Sequence, residues 1–336
     1  MRRFFTRLYG NETTKSRVGS AIISARLNHA LLICGPDGSG KSTLATEIAA
    51  ALNCEKKGDA IAPLPCGHCN NCRRIYEDNY PDIKRLKRDS SKATIGVEEL
   101  RLFREDMFLS ATESEHKIYV IEDAERMTPN AQNALLKVLE EPPEAVTIIL
   151  LCEEGDKILT TIKSRAQLIT MQRFSPEEIK NYLASKGFST LSDKISEVVM
   201  SADGRIGRAL EIIESPDEVE ADRKIAIDVI AAMRQGAPYS ELYSAVASLP
   251  QKRAELSEAL ELIMAALSDL VKIKSAKNAP LSFFSSREAA QSYAEPISQK
   301  KLLLAYDALR EASDENSKNA NISALINCLG AKIKLI

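Results

Sequence analysis

No stretch of the sequence approaches the ~18 consecutive apolar residues that a membrane-spanning helix needs. The basic start, Met1 to Gly10, carries two phenylalanines but neither a sustained apolar core nor a small-residue cleavage site. A soluble, cytoplasmic chain with no membrane partner is the expectation. Tracts rich in proline or in glycine and serine are missing too, so the composition gives no reason to expect disorder. Charge of one sign is equally scarce. With 45 Lys+Arg against 47 Asp+Glu the formal net charge is −2, which argues against nucleic-acid binding by bulk electrostatics and leaves only contacts that are local or shared with partners. Cysteine is limited to seven residues, an odd number with three in one tight cluster. That pattern suits a reducing compartment and a metal site better than a disulfide framework.

What is present is a chain of 336 residues, 44% hydrophobic and 27% charged, enough for about two to three domains. Its most informative stretch is Gly35-Pro36-Asp37-Gly38-Ser39-Gly40-Lys41-Ser42-Thr43, which fits the P-loop pattern G-x-x-x-x-G-K-[ST] at every required position. Glycines let the backbone turn tightly and aim N–H groups at phosphate oxygens, Lys41 reaches the terminal phosphates, and Ser42 offers the hydroxyl that a bound Mg²⁺ needs. The flanks agree. Ala30 to Cys34 reads as a short buried strand, and Lys41 to Leu52 as the helix whose N-terminus faces the anion. A nucleoside triphosphate with Mg²⁺ is the expected ligand.

After that helix comes Cys54, then eleven residues, then Cys66-Gly67-His68-Cys69-Asn70-Asn71-Cys72. Four thiolates make a closed tetrahedral site, and closely spaced cysteine pairs on a knuckle are the usual way to build one around structural Zn²⁺. An iron–sulfur run would want cysteine where Tyr76 stands. A reduced, empty cluster and redox chemistry are the other readings. His68 either replaces a ligand or sits in an exposed turn, and the turn is the expectation.

Further on, Asp82 to Arg88 reads as a strand with a basic side, either solvated or touching phosphate, with the solvated face as the expectation. Val97 to Leu109 reads as an amphipathic helix and Ile118 to Ile121 as a buried strand ending in Glu122-Asp123. Acidic residues there are where a nucleotide-binding sheet places its Mg²⁺ ligand and its water-activating base. Thr128-Pro129 is an N-cap and first-turn proline for a helix through Leu139, and Val146 to Leu151 is another apolar strand. Strands alternating with helices around a P-loop predict a parallel α/β sheet. From the capping box at Ser175-Pro176-Glu177-Glu178 short helical patterns run to about Glu214, and Ser215-Pro216-Asp217 breaks them. The rest reads as helices, including Glu241 to Leu249, Lys252 to Lys272 and Lys300 to Ser313, interrupted at Pro280 and Ser282-Phe283-Phe284-Ser285.

Several motifs together resemble the bacterial clamp-loader ATPases of DNA polymerase III. Gln132-Asn133-Ala134-Leu135-Leu136-Lys137-Val138-Leu139-Glu140-Glu141-Pro142-Pro143 is similar to that family's Q-N-A-L-L-K-x-L-E-E-P-P. Arg26-Leu27-Asn28-His29-Ala30, the four-cysteine knuckle, Asn79-Tyr80-Pro81-Asp82 (with Tyr80 where the family usually has His), Ser164-Arg165 and Gly204 to Leu210 support it. The resemblance implies an AAA+ protein. Its α/β nucleotide-binding domain would span 1–172 with a zinc-binding insertion at 54–72, followed by a small helical lid at 173–218 and an all-α collar at 219–336. Through the collar five subunits would form a ring that opens the sliding clamp and places it on primed DNA. The resemblance also implies that Lys41 and Ser42 meet phosphate and Mg²⁺, that Arg208 is the lid arginine sensing the γ-phosphate, and that Arg165 is an arginine finger serving a neighbour's ATP. The bland alternative for Arg165 is a surface arginine capping a strand end.

The departures select a branch of the family. Motor subunits of the gamma/tau type carry Asp-Glu where this chain has Glu122-Asp123, and reversing the pair moves the base back by one methylene. Misplacement on the order of 1 Å can cost ~10²-fold. Where the motor has a polar sensor the chain has Cys152-Glu153, and Ala166 follows Arg165 where cysteine is usual. The chain also ends at Ile336, just after the expected collar, without the extension often carried by motors. The branch expected is delta-prime, with ATP bound but its own hydrolysis weak or absent, beside gamma/tau and delta partners. A gamma/tau motor is the alternative, and an unrelated P-loop kinase with a zinc module leaves Gln132 to Pro143 unexplained.

Overall fold

The computed structural model describes residues 2–88, 92, 94–153, 155–188, 195, 198, 199, 202–275, 281–284, 286–318 and 320–336. The chain forms two compact units: Met1–Asp89 with Thr94–Glu178 and Arg205–Gly207, and Ser90–Ala93 with Ile179–Gly204 and Arg208–Ile336.

The first unit is built on a 5-stranded parallel sheet of β1 (Ala30–Cys34), β2 (Ile83–Leu86), β3 (Lys117–Ile121), β4 (Val146–Cys152) and β5 (Gln167–Thr170), in the order β2-β3-β4-β1-β5. Every residue of β1, β3 and β4 is buried, which is why, apart from Lys117 and Thr147, they read as apolar runs: a parallel sheet is covered on both faces. Alternate side chains of β1 show the two layers. Leu31 and Ile33 pack with Val18 and Ile22 of α1 (Glu12–Ile23) and with Leu44 and Ile48 of α2 (Lys41–Leu52). Ala30, Leu32 and Cys34 join another cluster, with Leu100 and Met107 of α4 (Val97–Met107) and with Leu135 and Val138 of α5 (Pro129–Glu140). Between them in the chain, α3 (Asn70–Tyr76) follows the cysteine knuckle.

Local chemistry sets the element ends. The Thr128 side chain accepts from Ala131 N, with Pro129 opening α5. One strand went unforeseen. In β5 only Ile169 is buried while Leu168 is 58% exposed, so no apolar run marks it. Short α6 (Thr160–Lys163) precedes it. The capping box forms at the start of α7 (Pro176–Ser185), where Ser175 N donates to Glu178 Oε2 (2.8 Å) and Glu178 N to Ser175 Oγ (3.2 Å).

Described elements of the second unit are helical: most of α7, then α8 (Ile206–Glu214) from Arg208 onward, α9 (Pro216–Ala232), α10 (Tyr239–Ala247), α11 (Arg253–Ser275), α12 (Arg287–Ala294), α13 (Gln299–Ser317) and α14 (Ile322–Leu335). Ser215-Pro216-Asp217, read as a break, is where α9 begins. Leu260, Ile263, Leu267 and Leu270 of α11 are fully buried, and α11 packs against α9, α12 and α13. Buried Asp269 accepts from the backbone N–H groups of Ser282 (2.8 Å) and Phe283 (2.7 Å), which seats Phe283 and Phe284 in this core. The interruption foreseen at Ser282 to Phe284 is therefore a packed segment, while Pro280 and Ser285 lie outside the described residues. Among the described residues no helix is long and apolar enough to cross a membrane.

Candidate functional site

The P-loop leaves β1 and enters α2. Gly38 and Gly40 have φ of 68° and 92°, the left-handed region that side-chain-bearing residues avoid. Gly35 is pressed by its neighbour, since a Cβ there would lie 2.7 Å from Met171 Cβ and 2.8 Å from its carbonyl oxygen. No described side chain caps α2, so the N–H groups of its first turn and the positive end of its dipole remain for an anion. Lys41 Nζ donates to the carbonyls of Gly35 (2.8 Å) and Pro36 (3.0 Å). The Ser39 hydroxyl is buried with no partner among the described residues. Pro36, Asp37, Ser42 and Thr43 complete a loop whose shape and donor set fit a phosphate chain. Gly207, the part of the Gly204 to Leu210 motif that belongs to this unit, lies against the loop, its N–H donating to Gly38 O (3.2 Å). Arg208 belongs to the second unit, where it pairs with Glu211 at 3.0 Å.

Glu122 follows β3, and Asp123 turns the chain with φ 50°. Both carboxylates have cationic partners. Arg85 Nη1 donates to Glu122 Oε1 (3.2 Å) and to Ser42 Oγ (3.3 Å), and Arg85 Nη2 to Thr46 Oγ1 (2.6 Å). Lys87 Nζ stands 3.6 Å from Glu122, and Arg88 Nε 3.9 Å from Asp123. The Arg85 side chain is only 14% exposed. The solvated basic face expected for β2 therefore turns this arginine inward, because the alternation of a strand sends it toward α2 and β3. In a P-loop enzyme, Mg²⁺ rests between the loop hydroxyl and the acidic residue after the neighbouring strand. Here a guanidinium bridges Ser42 and Glu122, and those residues as arranged do not fit the ion.

At the end of β4, Cys152 faces Cys34 with 2.8 Å between sulfurs. Their shared hydrogen bond holds the Cys34 thiol low and pushes Cys152 up, burial adding to the rise. Among the described residues, the side chain that ends β4 is the Cys152 thiol rather than a polar sensor such as threonine. Glu125 beside it is pushed up by burial, although its Oε1 accepts from Glu153 N (3.2 Å).

Arg165 lies elsewhere. It follows α6 and precedes β5, whose Gln167 is level with Leu31 and whose Thr170 is level with Cys34. That puts Arg165 beside the start of β1, whereas the P-loop leaves its end. At ~3.3 Å per residue the separation along the sheet is about 15–20 Å. Two motif residues hold it: Asn28 Nδ2 donates to Arg165 O (3.4 Å), and Glu140 Oε1 accepts from the Arg165 guanidinium (2.7 Å), while His29 Nε2 meets the carbonyl of the preceding Leu139 (3.0 Å). Buried Gln132 fixes the same layer, donating to Met127 O and Lys157 O and accepting from Leu159 N (2.8 Å). Sequence reasoning missed Arg85, Asn28 and Glu140 as partners of the site. The latter two were nonetheless inside the quoted motifs.

The sulfurs of Cys54, Cys66, Cys69 and Cys72 all lie within 4.8 Å of one another, and all four residues are buried. Backbone N–H groups of Cys66, Cys69 and Cys72 each donate to the preceding cysteine's sulfur at 3.4 Å. A hydrogen bond from Cys72 brings the Cys54 thiol down to about 5, toward the thiolate that metals bind. Tetrahedral Zn²⁺ at ~2.3 Å from each sulfur spaces its ligands ~3.8 Å apart, so the donor set fits that ion. His68 is exposed, with Nδ1 on Cys66 O (2.8 Å) and Nε2 by Lys56 (3.0 Å), outside the sulfur cage.

Comparison with known proteins agrees with these features. A family model described as "DNA polymerase III, delta subunit" matches residues 10–175. DNA polymerase III subunit delta' of Bacillus subtilis (strain 168) is 25% identical over 311 residues, covering 92% of each chain. The chain belongs to the DNA polymerase III clamp-loader family. Within that family it is also similar to DNA polymerase III subunit gamma of Buchnera aphidicola subsp. Schizaphis graminum, 30% identical over 214 residues, 62% of this chain and 57% of that one. A gamma subunit-related protein from Thermotoga maritima shares the fold, with 17% identity, a TM-score of 0.50 and coverage of 95% of this chain and 98% of that one. The clamp-loader motifs thus have local work to do. Gln132, Asn28, His29 and Glu140 tie together the rim that carries Arg165, and Asp82 of the Asn79 to Asp82 motif accepts from three consecutive backbone N–H groups.

Proposed function

We propose that this clamp-loader chain is a delta-prime-type subunit: it holds ATP at Gly35 to Thr43, turns it over weakly or not at all, and supplies Arg165 to the ATP of a neighbouring gamma/tau-type subunit. The observation that carries this reading is the place of Arg165. On the opposite rim of the sheet from its own P-loop, its guanidinium serves a nucleotide bound by another chain. A guanidinium delivered across an interface stabilises transition-state charge, worth ~10³–10⁵ in rate in other NTPases. The engagement of Glu122 by Arg85 and Lys87, and of Cys152 by Cys34, supports a weak centre at home. Asp123 is displaced from the role of base by the reversed order of the pair. Arg208 is assigned as the γ-phosphate sensor, and the four cysteines as ligands of one structural Zn²⁺.

The parts would act as a nucleotide-binding domain (1–172), a lid (173–218) and a collar (219–336), the last joining five subunits with gamma/tau and delta types. The cytoplasmic assembly would load the sliding clamp on primer-template DNA. A gamma/tau-type motor is the second reading, favoured by the complete P-loop and by the 30% identity to a gamma subunit. Reconstitution with partner subunits separates the two: DNA- and clamp-stimulated ATP turnover is compared for the wild type, Lys41→Ala and Arg165→Ala.

A further inference from the structure

We infer that Arg85 is a built-in replacement for the divalent cation of the P-loop, so that this chain binds the triphosphate without Mg²⁺. The inference rests on the reading of Gly35 to Thr43 as an ATP site. Its own support is the position of one nitrogen. Arg85 Nη1 stands 3.3 Å from Ser42 Oγ and 3.2 Å from Glu122 Oε1, the two groups between which P-loop proteins hold Mg²⁺. The Ser42 lone pair that would bind the ion instead accepts a hydrogen bond. Nη2 is anchored on Thr46 Oγ1 at 2.6 Å, one turn further along α2, and Asp78 Oδ1 is 3.9 Å from Nε. The guanidinium is thus fixed from α2, from the turn before β2 and from the end of β3.

Charge points the same way. Mg²⁺ demands a near-octahedral oxygen shell and carboxylates that are free to compensate it. Glu122 is already paired with Arg85 and with Lys87 (3.6 Å), and Asp123 faces Arg88 (3.9 Å). A divalent ion entering here would meet a resident cation where it needs an oxygen. A guanidinium cannot leave with the nucleotide, is charged at every relevant pH and presents a planar fork that matches phosphate oxygens. It does not supply a Lewis acid or a metal-bound water, so the same substitution that permits binding deprives the site of hydrolysis.

The test is ATP binding by the full chain in buffer passed over a chelating resin, with and without added MgCl₂; a soluble chelator is avoided because it would also attack the cysteine site. Lys41→Ala confirms that the signal comes from the P-loop. The wild type is expected to bind with a Kd that changes less than about threefold on adding Mg²⁺, and Arg85→Ala or the length-preserving Arg85→Met to require Mg²⁺ for binding by about tenfold or more. Wild-type binding that tightens tenfold with Mg²⁺ overturns the inference and leaves the ATP site standing. Variants that stay indifferent to Mg²⁺ also overturn it. So does binding that appears only when Arg85 is removed, which would make the residue a plug. Absence of binding in every protein defeats both the ATP reading and the inference.

Discussion

Replacing Asp82 by Asn should loosen the turn that leads into β3 while leaving its shape nearly unchanged. Asp82 is 2% exposed. Its Oδ1 accepts from Thr112 N (2.8 Å), and its Oδ2 from Glu113 N (2.9 Å) and Ser114 N (2.8 Å). Burial alone would raise its pKa, but those three donors outweigh it and hold the carboxyl below the usual range. Asparagine keeps one oxygen and turns an NH₂ toward the remaining N–H, setting donor against donor. At about 1.5–3 kcal/mol for a hydrogen bond to a charged group, the expected loss is about 2–3 kcal/mol. For a unit of this size that lowers the midpoint by roughly 4–12 °C. The sign with pH follows. A lowered folded pKa contributes stability above the unfolded value near 3.8, and that contribution is lost as pH falls through the folded value. The gap between wild type and Asp82→Asn should be full at pH 7 and shrink below pH ~3.8. Calorimetry across that range, with amide exchange at Thr112, Glu113 and Ser114, reads both effects. Unchanged midpoint and unchanged protection at pH 7 would refute the reasoning.

Removing the carboxylate that holds Arg165 separates position from stability. Glu140→Ala should cost less than about 1 kcal/mol, since both side chains are partly exposed, yet lower the partner-stimulated turnover of a reconstituted assembly several-fold; unchanged turnover would show that Glu140 does not position the arginine. Metal analysis of purified chain should find one zinc, and stripping it should lower the midpoint of the first unit, because the ion would bind the native cluster alone. No zinc with or without iron, or an unaltered midpoint after stripping, would remove the structural role.

The strands β1, β3 and β4 were legible from their apolar runs, and the helices α2 and α5 from an apolar stripe together with a glycine, cap or proline at the start. β5 was not, since an edge strand with Ile169 as its one buried side chain leaves no period to read. The P-loop and the cysteine knuckle could be read because the spacing of their residues is the chemistry. Arg85 could not. Whether a basic residue in a strand meets water or Ser42 and Glu122 is decided by segments about 40 residues away on either side. Asp82 and Asp269 illustrate the same limit. Each collects successive backbone N–H groups of another turn; Asp269 is one more acidic residue in sequence, and the motif that contains Asp82 does not say what its carboxylate holds.

The central claim is that this chain holds nucleotide and acts on a neighbour's. Its most direct test is DNA- and clamp-stimulated ATP turnover by the reconstituted clamp loader carrying Lys41→Ala or Arg165→Ala in this chain alone. The account predicts a large loss from Arg165→Ala, up to the ~10³–10⁵ attributed to such arginines at the site it serves, and little change from Lys41→Ala. A large loss from Lys41→Ala with Arg165→Ala near wild type would contradict it and make this chain a motor.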